Sequence, residues 1–156
     1  MRMLNHIPSA PRLLGLAGLL PPLFFAFAIL FGPAPWQWTA LALAYAYAAL
    51  IFSFLGGIWW GLAAANDAAP DWIYGAAIVP SLIALASYAP WILGWSWPGP
   101  SMMLLGFAIL GSPWVDRRLV AAGVESGWML SLRQILSFGL GGLTLTMAAI
   151  AMVSTP

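Results

Sequence analysis

Cysteine and lysine are both missing from this chain, and charge of either sign is scarce. Without cysteine there can be no disulfide and no thiolate metal site. Charged residues make up 6% of the 156 residues, whereas a soluble domain carries about a quarter to dress its surface. Water is therefore not the main solvent for this surface. The five basic residues are all arginines (Arg2, Arg12, Arg117, Arg118 and Arg133), and the net charge of +1 implies no attraction to nucleic acid. The one histidine, His6, falls in the N-terminal tail, where a solvated imidazole is expected. Also missing are segments of about ten residues with alternating apolar and polar character, which a membrane β-barrel requires. No nucleophile–base pair, phosphate loop or Cys/His spacing is present. Gly139–Gly142 is glycine-rich but lies inside an apolar run, without the strand–loop context of a phosphate site. These absences predict a protein that is not an enzyme and needs no metal or other cofactor.

What the chain has instead is apolar length. Hydrophobic residues account for 63% and the mean hydropathy is +0.94. A helix needs roughly 20 apolar residues to cross the hydrocarbon layer, and five stretches are expected to do so: about 13–31, 38–65, 72–89, 101–122 and 128–153. The expectation is an all-α, single-domain membrane bundle over 1–156. Pro21-Pro22 should kink or break the first helix, and Pro80 and Pro113 should kink the third and fourth. Asp71 is placed to cap the third. Arg2 and Arg12 precede the first apolar run as in a signal peptide. That run holds two prolines, however, and Gly32-Pro33-Ala34-Pro35 is a poor cleavage site, so the first helix is expected to stay.

Five crossings put every formal charge on one side. Arg2 and Arg12 lie before the first helix, Asp67 and Asp71 after the second, and Asp116, Arg117, Arg118, Glu125 and Arg133 around the last turn. Arginine retention marks the cytoplasmic side, which predicts a cytoplasmic N-terminus and an outside C-terminus. The ten tryptophans divide likewise. Trp36, Trp38, Trp91, Trp95 and Trp97 fall at the uncharged side; Trp59, Trp60, Trp72, Trp114 and Trp128 fall toward the charged one. Indoles prefer the headgroup level, so two interfacial belts are expected. A sharper alternative has Trp91, Trp95 and Trp97 lining a ligand pocket.

Two constellations stand out for packing. Ala49, Ser53, Gly57, Gly61 and Ala65 recur every four residues, which predicts a groove of small residues where another helix comes close, within the bundle or in a homodimer. Asp116 and Arg133 lie at equal distances from the last turn, which predicts a salt bridge pinning that hairpin. The alternative is an Arg133 that snorkels to lipid phosphates. The hydroxyls of Ser53, Ser81, Ser87, Thr144 and Thr146 are expected to bond back to their own helices.

Several segments together resemble the transmembrane protein 69 family, a bacterial and mitochondrial group with a domain of unknown function. They are Pro11–Pro21, Ser53–Gly61 (SFLGGIWWG), Val79–Leu82, Asp116, and Trp128–Arg133. The resemblance covers nearly the whole chain, and it implies a bacterial inner-membrane location. It also implies a histidine where this chain has Trp59. No activity comes with it. Two roles are therefore expected for a protein in contact with membrane lipid. It serves as a packing or assembly partner of another membrane protein, or it binds or transports a porphyrin- or sterol-like molecule.

Overall fold

The computed structural model describes residues 7–154; Arg2 and His6 lie outside them. Its helices are α1 (Ser9–Ala17), α2 (Leu20–Phe31), α3 (Ala34–Ala64), α4 (Trp72–Ala86), α5 (Ala89–Ile92), α6 (Gly99–Ala121) and α7 (Gly127–Ser154), and no strand occurs among the described residues. They form five rods, because α1 runs into α2 and α4 into α5.

Proline punctuates these rods. It occupies one of the first two positions of α2, α3, α5 and α6, where its missing N–H would have had no partner inside the helix anyway. For this reason α3 starts at Ala34, earlier than expected, with Pro35 inside its first turn. The break in the first rod falls at Gly18-Leu19, just ahead of Pro21-Pro22. Pro22 cannot donate to the Gly18 carbonyl four residues back. That carbonyl instead accepts a hydrogen bond from Tyr47 Oη at 2.6 Å, which ties the break to α3. Pro113 likewise leaves the Ile109 carbonyl without its helical donor, and Ser112 Oγ donates to it at 2.8 Å. Asp71 precedes α4 but makes no side-chain cap, since its own backbone is already helical (φ −59°, ψ −28°).

Two antiparallel hairpins dominate the packing, α3 with α4 and α6 with α7, and α2 lies along α3. In the second hairpin Gly99 faces Met152, Gly106 faces Leu145, Gly141 faces Leu110, and Ser112 bonds Ser137 at 3.1 Å. Residue numbers fall on one helix as they rise on the other. In the first hairpin the register is set by Gly56 against Ala77, by a 2.7 Å hydrogen bond between Ser53 and Ser81, and by another of 2.7 Å between Tyr45 and Ser87. Ser53, Ser81 and Tyr45 thus bond across helices, whereas Ser87, Thr144 and Thr146 also or only bond their own helix.

The core runs the length of the bundle. Tyr45, Phe52, Met102, Leu105, Ile109 and Met147 fill its main part, and Trp59, Ala63, Ile73, Ala77 and Leu119 close one end. Four of the five rods are long and apolar enough to cross a membrane: Ser9–Phe31, Ala34–Ala64, Trp72–Ile92 and Gly127–Val153. The fifth, Gly99–Ala121, has the length but less apolarity, since it carries Pro100, Ser101, Ser112, Pro113 and the charged Asp116–Arg118.

Candidate functional site

The end of the bundle closed by Trp59 and Leu119 holds a buried cluster of charges. Asp116, Glu125 and Arg133 are 0%, 6% and 4% exposed. Asp116 comes from α6, Arg133 from α7, and Glu125 from the turn between them. Arg133 Nε lies 3.0 Å from Asp116 Oδ1, an ion pair across the hairpin. The same oxygen accepts a hydrogen bond of 2.6 Å from Trp59 Nε1 on α3. The Arg133 guanidinium also lies 5.3 Å from the centre of the Trp59 ring, within reach of a cation–π attraction. Asp116 thereby links three helices.

Trp59 is 2% exposed and corrects its assignment to an interfacial belt. It lies on the inner stripe of α3 with Phe52, Gly56 and Ala63, and its N–H serves a buried carboxylate instead of a headgroup. Trp59 stands where the resemblance implies histidine, and an indole retains one ring N–H donor there. Trp60, Trp72 and Trp114 are exposed, and Trp114 carries the Arg118 guanidinium over its ring at 4.0 Å.

Glu125 was not anticipated. Among the described residues neither of its carboxylate oxygens has a hydrogen-bond partner, nor do Asp116 Oδ2 or Nη1 and Nη2 of Arg133. Burial pushes the Glu125 carboxyl up to about 7; the charge of Asp116 adds to this and that of Arg133 opposes it. A glutamate in a polar-looking turn gives no sign in the sequence of being folded inward. The signal lies in Gly123: its φ of +72° lets the Val124 and Glu125 amides turn back onto the Leu119 carbonyl at 2.9 and 3.3 Å, which carries the turn over the bundle end.

At the opposite end the tryptophans form a cleft of about 480 Å³ lined by Trp38, Trp95, Trp97, Pro100 and Met152. Trp97 is its hub. Its ring stands 5.5 Å from Trp38, 5.2 Å from Tyr45 and 6.5 Å from Trp91. Trp95 and Trp97 thus line the cleft with Trp38, a residue the expected trio left out. Trp91 packs behind Trp97 and does not line it.

The small-residue series of α3 does not form one groove inside the bundle. Ala49 is buried and Ser53 bonds α4, but Gly57, Gly61 and Ala65 are exposed, and a β-carbon at Gly57 or Gly61 would meet nothing within 4 Å. The reason is helical pitch. Each step of four residues overshoots a full turn by about 40°, so four steps wrap the series about 160° around the helix. The close approach inside the bundle falls on the neighbouring Gly56.

Five helical rods, four of them long and apolar enough to span a bilayer, with buried charge gathered at one end, fit the class of multi-pass helical membrane proteins. The chain belongs to the family described as "Protein of unknown function (DUF3429)", which it matches over residues 7–150. No curated protein and no solved structure matches it.

Proposed function

We propose that the protein is a non-enzymatic packing or assembly partner of another protein of the bacterial inner membrane. It crosses that membrane five times, with its N-terminus in the cytoplasm and its C-terminus outside, and its kinship extends to the transmembrane protein 69 group. The carrying observation is the outer face of α3 at the charged end, where Gly57 and Gly61 are exposed above open space. Farther along that face Leu43, Leu50 and Phe54 are exposed too, so the bulky surface suited to lipid gives way to a notch. A helix seated there reaches the α3 backbone closely, and close van der Waals approach drives helix association in lipid. A sixth helix is therefore the expected occupant, from a partner protein or from a second copy.

The absence of cysteine makes the test clean. Gly57→Cys and Gly61→Cys should crosslink in native membranes, while Leu85→Cys on exposed α4 surface should not. The mass of the product separates a second copy from a different partner. Gly57→Leu should leave thermal unfolding of the isolated chain within about 0.5 kcal/mol of wild type, as at an uncrowded surface position, and abolish association. A clean monomer at native expression, without crosslinks at either glycine, would sink the proposal.

A second reading draws on the tryptophan cleft. Three indole rings line it beside a nearly equal share of polar surface, and the indole N–H of Trp97 is buried without a partner among the described residues. That combination suits a flat ligand with an apolar body and hydrogen-bonding groups at its edge, such as a porphyrin or sterol. Titration with either should quench tryptophan emission in wild type and not in Trp97→Phe; no change at high micromolar ligand removes this reading.

A further inference from the structure

We propose that Glu125 is a proton-binding site, protonated in the closed structure and released to water when the turn between α6 and α7 swings open. The inference is independent of any partner at Gly57.

It starts from the charges facing one another. From α6 comes Asp116 and from α7 Arg133, while α3 contributes the neutral N–H donor Trp59. The other charges near this end are Arg117 and Arg118, exposed on the outside of α6, and Asp67 and Asp71 in the exposed connection before α4. Arg12 stands on α1, whose Gly15 packs against Leu132 and Leu136 of α7. Tyr74 of α4 is turned to Trp60. Among the described residues, the buried cluster therefore has two carboxylates sharing one cation. Both cannot be ionised without burying a net negative charge, and such charge is neutralised by proton uptake far more cheaply than it is tolerated.

Hydrogen bonding decides which carboxyl takes the proton. Asp116 Oδ1 faces both the Trp59 N–H and the Arg133 guanidinium, and donors favour the ionised form. Glu125 receives no donor on either oxygen among the described residues. The proton belongs on Glu125, and the cluster becomes a neutral acid beside a balanced ion pair. Its elevated titration near 7 agrees. Loss of the proton is the transfer Glu125–COOH + H₂O → Glu125–COO⁻ + H₃O⁺. The carboxylate then has a short way out, because it lies in a turn and only that turn must rotate.

The sign follows from linkage. The Glu125 carboxyl titrates near 4.5 when unfolded and near 7 when tucked in. The closed turn is therefore unopposed below about 4.5, loses ground as pH rises between those values, and is most strained above 7.

The test uses the full chain in liposomes. Infrared difference spectra across about pH 5 to 9, spanning the range in which a shifted carboxyl titrates, should show a protonated-carboxyl band disappearing with a midpoint near 7. Glu125→Gln should lack that band. In parallel, Val124→Cys, half-buried against the bundle end in the closed turn, should react with a thiol reagent about fivefold faster at the alkaline end of that range than at the acid end. Its rate is taken relative to Asn66→Cys, which corrects for thiol ionisation. Adding Glu125→Gln should flatten that ratio, because the amide mimics the neutral acid at every pH. A band that survives Glu125→Gln, a midpoint at an ordinary carboxylate value, or a labelling ratio indifferent to Glu125 overturns the proposal. So does a Glu125→Gln protein less stable than wild type above neutral pH.

Discussion

Gly56→Ala should destabilise the protein by about 3 kcal/mol, the upper range for overpacking, while Gly57→Ala, one residue away, should be nearly silent. A β-carbon on Gly56 would collide with the backbone carbonyl of Ala77 and press on Pro80 Cγ at 3.2 Å. Neither obstacle is the loose end of a flexible side chain. The α3–α4 hairpin would have to part, straining the nearby hydrogen bonds of Ser53 with Ser81 and Tyr45 with Ser87. At Gly57 the same methyl group enters open space. Gly106→Ala and Gly141→Ala should fall between, because a β-carbon there first meets the Leu145 and Leu110 side chains, which can shift, with the facing backbone carbonyls only at 3.3 and 3.1 Å. Thermal unfolding in mild detergent ranks the four variants. Equal melting of Gly56→Ala and Gly57→Ala would show that α3 and α4 do not approach at this point.

Arg133→Gln should cost about 3–5 kcal/mol, the range for breaking a buried ion pair by removing one member. Asp116 would keep the Trp59 N–H but lose its cation, which leaves a buried carboxylate uncompensated among the described residues. Asp116→Asn should also destabilise, leaving Arg133 to Glu125 alone. The double variant should lose less than the sum of the two, since the pair is absent in either single variant. Guanidine or urea unfolding in micelles, run as a four-member cycle, reads this coupling. Strictly additive losses would mean that the two groups act separately, with Arg133 served by lipid phosphates. Trp59→Phe removes the N–H and also part of the buried ring bulk. It should cost at least about 1.5–3 kcal/mol, the value of a hydrogen bond to a charged group, with a cavity cost added.

Much of this architecture could be read from residue order. Apolar length requires helices, because a chain in lipid must satisfy its backbone internally. Prolines mark where helices start, since they remove donors that a first turn does not use. Asp116 and Arg133 were legible as a pair because equal offsets from a turn give equal depth in an antiparallel hairpin. Gly57 and Gly61 meet no helix of their own bundle, because spacing along a helix reveals periodicity but not which side meets a neighbour. The inner stripe through Phe52, Gly56, Trp59 and Ala63 differs from the one through Gly57 by a single residue.

By itself, then, the sequence determined the solvent, the helical class and the gathering of charge at one end, because these follow from composition and from spacing along one chain. Only the tertiary structure decided that Trp59 serves Asp116, that Glu125 turns inward without a partner, and that Trp38 joins Trp95 and Trp97 around a cleft. Each of these joins residues distant in sequence or depends on the path of a turn. The physical reason is rotational: a difference of about 100° per residue around a helix axis separates a lipid-facing side chain from a buried one, and only the neighbouring helices fix that angle.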